Sequence, residues 1–197
     1  MFPLRGKMPA ISKRDGGSGV LDATTELGAV ISWWAGPYAG CNIGLRVPST
    51  MMVIDIDPRH GGLDTWDALQ RQRGKISHSL TTISGRMDGG RHLFMRRPPK
   101  RLSAAKLGPG IDLKISSGYV VAPPSIHPDT DNPYVRVDGP IIEPPRWLVD
   151  LLTIEPPAPP RQSRRPHLDG PSVIDAYNAA ASWADVFNAA RLGMSGR

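Results

Sequence analysis

Apolar and polar positions alternate along this chain in short runs. In two of those runs an aspartate stands where a buried strand would carry an aliphatic residue. The sharper run is Met51–Asp57, M-M-V-I-D-I-D, closed by Pro58. Alternate side chains of an extended strand share a face, so the pattern predicts Asp55 and Asp57 on one side and Ile54 and Ile56 on the other. A rise of about 3.3 Å per residue sets the two carboxylates about 7 Å apart at the backbone. The run I-D-L-K-I at 111–115 sets Asp112 and Lys114 against Ile111, Leu113 and Ile115. R-H-L-F-M-R at 91–96 sets His92, Phe94 and Arg96 against Leu93 and Met95.

Further β-rich segments fall at 79–84, 118–122 and 134–137, the last read as an edge strand. N-I-G-L-R-V at 42–47, followed by Pro48-Ser49-Thr50, predicts a hairpin with the aspartate strand. Helical spacing appears three times. Leu27, Val30, Ile31 and Trp34 follow Thr24 or Thr25 as N-cap, with Trp33 and Trp34 expected in the core. Leu63, Trp66 and Leu69 follow Arg-His-Gly-Gly at 59–62, which reads as a mobile linker. Residues 144–152 read as a closing helix. Residues 1–20, rich in Gly, Pro and Lys, read as loop.

Composition adds an organisation. The chain has 197 residues, of which Gly and Pro make up 42, enough for a loop-rich folded domain with a looser segment. We place the domain at 1–152, a Pro/Arg-rich linker at 153–171, and at 172–197 the helical start of a mostly absent C-terminal region. A single cysteine, Cys41, excludes an internal disulfide or a Cys-rich zinc site. No apolar run approaches the roughly 18 residues of a membrane span, and the N-terminus lacks the apolar core of a secretion signal. The expectation is a soluble cytoplasmic protein with no membrane partner.

Charge narrows the partner. The formal net charge is +6, and residues 71–106 hold ten Lys/Arg against the single acid Asp88. That balance favours a polyanion. Hard cations prefer oxygen ligands, so the Asp-x-Asp pair reads as a metal site, although a solvated turn at a strand end explains that motif alone equally well. Taken with Asp112, His92 and the basic block, the set suits two divalent cations serving in-line phosphoryl transfer. His92 and neighbouring Arg/Lys would bind a triphosphate, and the basic strip would hold a single-stranded template.

The same segments resemble a known family. F-P-L-R-G-K-M-P at 2–9, N-I-G-L-R-V at 42–47, V-I-D-I-D at 53–57, T-I-S-G-R…G-G-R-H-L-F at 82–94 and G-I-D-L-K…G-Y-V-V-A-P-P-S at 110–125 form the ordered set. They are similar to the N-terminal domain of bifunctional DNA primase/polymerases, the prim-pol branch of the archaeo-eukaryotic primase superfamily. The resemblance spans roughly residues 1–152. It implies an α+β fold of prim-pol type, with an RRM-like catalytic sheet, packed helices and a second small α/β subdomain. It also implies Asp55, Asp57 and Asp112 as catalytic ligands of two Mg²⁺ or Mn²⁺ ions, and His92 on the phosphates of an incoming dNTP or NTP. Ser84, Arg91, Lys114 and Lys7 are further nucleotide-binding candidates. The loop between Ser84 and His92 is longer than the tight Ser-Gly-Gly-x-His form of the family. A DNA primase or polymerase of a plasmid, phage or other mobile element, with a fused or partner helicase, is the function implied. Two other classes stay open: an idle single-stranded DNA-binding module that recruits a helicase, and a metal-dependent phosphodiesterase.

Overall fold

The computed structural model describes residues 1–102 and 106–153. The expected linker and C-terminal helix lie outside the described residues. Within them the fold is a mixed α+β arrangement of three α-helices and two antiparallel sheets.

The larger sheet has six strands. In chain order they are β4 (Met51–Ile56), β5 (Thr81–Ile83), β6 (Arg91–Arg96), β7 (Lys106–Gly108), β8 (Ile111–Lys114) and β10 (Val135–Val137), arranged 10-5-6-4-8-7. The smaller sheet runs 2-1-3-9 and contains β1 (Phe2–Arg5), β2 (Met8–Pro9), β3 (Asn42–Arg46) and β9 (Tyr119–Ala122). The helices are α1 (Leu27–Ala35), α2 (Gly62–Arg73) and α3 (Arg146–Thr153).

The alternation in β4 decides the layering. Met52, Ile54 and Ile56 form one face with Met95 of β6 and Ile111 and Leu113 of β8, and this face packs on Trp66 of α2 and Leu148 and Leu152 of α3. Leu148 and Leu152 are one helical turn apart and both fully buried, so α3 closes this core as expected. Val53 looks the other way. It packs with Phe94 of β6, Val120 of β9 and Val47, which joins the two sheets. A third cluster holds the small sheet together around Phe2, Leu4, Val121 and Tyr134. Gly44 of β3 is required there, because a Cβ at this position would stand 2.7 Å from the Phe2 ring.

Five sequence expectations change. Residues 1–20 are not simply loop: Phe2 and Leu4 are fully buried and pair with β3, which their Gly/Pro-rich surroundings concealed. β3 and β4 do not form a hairpin. The turn Pro48–Met51 instead carries the chain from one sheet to the other, because β3 satisfies its edges with β1 and β9. Arg-His-Gly-Gly is no mobile linker, since Pro58–His60 form a 3-10 turn capped by the Asp57 carboxylate. Finally, no residue of α1 is buried: Trp33 packs on the Phe2 cluster from a half-buried position, and the Trp34 indole N–H donates to the Cys41 carbonyl at 2.9 Å. Glu26, not a threonine, occupies its N-cap position, although the Glu26 amide bonds Thr24 Oγ1 at 3.0 Å.

Candidate active site

Cross-strand register brings the polar positions together. Asp55 of β4 lies opposite His92 of β6 on one side and Asp112 of β8 on the other, and Thr82 of β5 lies opposite His92. Directly opposite residues of an antiparallel pair share a face. Thr82, His92, Asp55 and Asp112 therefore make one polar row across four strands. In the next row inward Phe94 and Val53 carry the contact between the sheets, while Lys114, in the same row, turns to the carboxylates. Two residues further along each strand the row turns polar, and a cleft of about 500 Å³ opens there. Lys7, Asp55, Asp57, Ser84, Arg91, His92 and Lys114 all line it.

The carboxylates are charge-compensated. Lys114 Nζ stands 3.1 Å from Asp112 Oδ2 and 3.6 Å from Asp55 Oδ2, so the two acids hold one cation between them. Asp55 Oδ1 is 3.5 Å from His92 Nε2. Asp57 continues the extended backbone one residue past β4, but its side chain turns to Arg59 and His60. Arg59 donates from Nη2 to Oδ2 at 2.8 Å and from Nε to Oδ1 at 3.1 Å, and His60 Nδ1 lies 3.0 Å from Oδ2. The hydrogen bond from Arg59, with smaller help from His60, holds the Asp57 carboxyl at about 2, against the partial burial that would raise it. Among the described residues, no three His, Cys, Asp or Glu side chains converge as a metal-holding group. Two adjacent carboxylates, Asp55 and Asp112, nonetheless suit a hard cation, since they already share the positive charge of Lys114; the Asp57 carboxylate is turned to Arg59 and His60.

The backbone under Asp57 is clamped. Its N–H donates to the Gly110 carbonyl at 2.7 Å, and its carbonyl accepts from His60 and Gly62. Gly62 and Gly110 approach so closely that a Cβ on Gly62 would sit 2.6 Å from the Asp57 carbonyl oxygen. Gly110 also takes φ +67°, the left-handed region.

Tyr134, outside the sequence expectation, lines the cleft, and His127 packs against its ring. The Tyr134 ring stacks on His92, with centroids 6.3 Å apart, and on His127 at 5.8 Å. His127 is fully buried, and burial lowers the pKa of both histidines, favouring neutral rings. Burial likewise raises the Tyr134 phenol. No sequence signal ties Tyr134 or His127 to His92, because they lie on a different part of the chain.

The mouth of the cleft is basic. Lys7 sits in the two-residue turn between β1 and β2, where the Tyr119 hydroxyl donates to its carbonyl at 2.9 Å. Arg86 lies in the Ser84–Arg91 loop, paired with Asp129 and 3.8 Å from Asp88. Desolvation and the charges of Arg86 and Arg59 lower the Lys7 pKa. Arg59 and Arg86 escaped the motif reading, although each stands in a segment that it quoted or adjoined. Arg91, by contrast, alternates to the face opposite His92, and its Nε donates to the Gly89 carbonyl at 3.1 Å. The basic block of 71–106 is not one strip. Arg71 and Arg73 end α2, Arg86 and Arg91 border the cleft, and Arg96, at the opposite end of β6, pairs with Glu143.

The family model described as bifunctional DNA primase/polymerase, N-terminal, matches residues 1–147. No curated protein matches the chain. No helix among the described residues is long and apolar enough to cross a membrane.

Proposed function

Because the chain belongs to the family of bifunctional DNA primase/polymerase N-terminal domains, we propose that it joins nucleotides on a single-stranded DNA template. The family carries the general reading of a DNA primase/polymerase-type nucleotidyltransferase, with DNA and nucleotides as substrates. The observation that supports the finer reading is the cross-strand row His92–Asp55–Asp112, of which His92 and Asp55 line a cleft with a basic mouth, while Asp112 reaches it through the Lys114 that it shares with Asp55. In this reading Asp55, Asp57 and Asp112 hold two divalent ions, Mg²⁺ or Mn²⁺. Such ions, when bound, activate a 3′-hydroxyl and neutralise charge on the transferring phosphoryl group. His92, neutral and braced by Tyr134, offers a ring N–H to a phosphate oxygen. Lys7, Arg59 and Arg86 bind the remaining phosphate charge, with Ser84, Arg91 and Lys114 as further contacts.

The six-stranded sheet with α2 and α3 takes the part of the RRM-like catalytic sheet, and the four-stranded sheet with α1 that of the smaller subdomain. The expected linker, which begins after Thr153 at the end of α3, and residues 172–197 lead toward a helicase-like partner. That organisation suits a replication protein of a plasmid, phage or other mobile element.

The test is templated incorporation on single-stranded DNA, with and without primer, with dNTPs or NTPs and Mg²⁺ or Mn²⁺. Asp55→Ala is expected to lower incorporation by about 10²-fold or more. Incorporation that survives in Asp55→Ala would sink the mechanism. A second reading, an idle DNA-binding module, draws on the ion pairs that occupy Asp55, Asp57 and Asp112. It expects salt-sensitive DNA binding, untouched by the aspartate substitution, and no incorporation.

A further inference from the structure

The Asp57 carboxylate spends both oxygens on its own turn. Oδ1 accepts from the Arg59 backbone N–H and from Arg59 Nε, each at 3.1 Å, and Oδ2 faces Arg59 Nη2 and His60 Nδ1. Its backbone is fixed by Gly110, His60 and Gly62, so redirecting the carboxylate is a matter of side-chain rotation alone. Arg59 has more freedom, with a side chain half exposed on the rim of the cleft. It shares that rim with Lys7 and Arg86, and Asp57, Asp88 and Asp129 serve these cations as internal counter-ions. A polyphosphate entering the cleft competes for the same cations, and a guanidinium binds phosphate in the same forked geometry as carboxylate.

We propose that Arg59 is a nucleotide-responsive latch on Asp57: it masks the carboxylate until a triphosphate draws the guanidinium away, and only then is Asp57 open to a divalent cation. Arg59 is thus a positioning residue that couples triphosphate binding to cation binding. This inference rests on the nucleotidyltransferase reading of the cleft. The coupling is reciprocal, because each ligand favours the state with the latch open.

The experiment measures Mn²⁺ affinity of the full chain by electron paramagnetic resonance, with and without a non-hydrolysable deoxynucleoside triphosphate. The wild-type chain is expected to bind Mn²⁺ about tenfold more tightly when the triphosphate is present. Arg59→Ala is expected to bind Mn²⁺ alone several-fold more tightly than wild type and to lose most of the triphosphate-dependent gain. Arg59→Lys, which keeps the charge without the fork, falls between. Adding Asp57→Asn to Arg59→Ala removes the tightening. In the absence of the triphosphate, Arg86→Ala, which deletes an equal charge not bonded to Asp57, leaves Mn²⁺ binding near the wild-type value. Equal Mn²⁺ affinity in wild type and Arg59→Ala overturns the latch, as does equal tightening by Arg86→Ala. A wild-type chain that binds both ligands without coupling overturns the latch alone. One that binds neither overturns the active-site reading with it.

Discussion

The two faces of β4 obey the same alternation and come to opposite ends. On the helix side Met52, Ile54 and Ile56 are fully buried along the whole strand, because α2 and α3 cover every position. On the other side Val53 is fully buried but Asp55 is partly exposed, because the four-stranded sheet covers the face only as far as Val120 and Val47. A covered face yields stability and nothing else. A half-covered face yields a site: its apolar half fixes the strands, and its polar half inherits that rigidity at the point where the layers part.

This contrast can be broken most sharply with neighbouring substitutions on the same strand. Ile54→Ala is expected to cost about 2–5 kcal/mol in denaturant unfolding, through lost burial and the cavity left behind. Asp55→Asn should cost about 1 kcal/mol or less while removing templated incorporation, since its partners are exchangeable ion pairs in a partly solvated cleft. Comparable stability losses in the two variants would contradict the division between the faces.

Gly62→Ala sharpens the same contrast at the strand end. The added methyl group collides with the Asp57 and Gly110 backbones, so a loss of about 1–3 kcal/mol is expected, accompanied by weaker Mn²⁺ binding as Asp57 shifts. A variant as stable and as active as wild type would show that this clamp is not needed.

The smallest effect is one of pH. His127 is buried beside Tyr134, with Lys7 and Arg86 opposing its protonation and Asp129 favouring it, and its folded pKa lies below the ordinary 6.5. The unfolded chain therefore binds the proton first. The stabilisation is complete above about pH 6.5 and is lost as pH falls toward the folded value. Unfolding free energy should decline between pH 7 and 5, and His127→Phe, which keeps a ring against Tyr134, should flatten part of that slope. An unchanged slope in His127→Phe would assign the pH dependence to other groups.

Much of this was legible in the chain itself. A period of two residues placed Asp55, His92 and Asp112 on polar faces of strands, and the aliphatic partners on the opposite faces, because pleating leaves a strand no other choice. The helical spacing of Leu63, Trp66 and Leu69 located α2, and the pattern at 144–152 located α3. Glycine and proline misled at the N-terminus, where two-residue and four-residue strands sit inside a turn-rich segment too short for periodicity to show.

Partnership was decided elsewhere. Adjacency in sequence suggested that β3 pairs with β4, yet they lie in different sheets, since pairing depends on which strand edges remain unsatisfied once all strands are present. Asp57 shared a face with Asp55 by alternation, yet its carboxylate turns to Arg59, because a side-chain rotation costs less than leaving a charge unpaired. His92, Tyr134 and His127 stack although strand periodicity relates none of them to the others. Local periodicity determined which side of its own strand each residue occupies. Only the tertiary structure determined what stands across from it, because contacts between distant segments form through long-range packing that no short window of sequence contains.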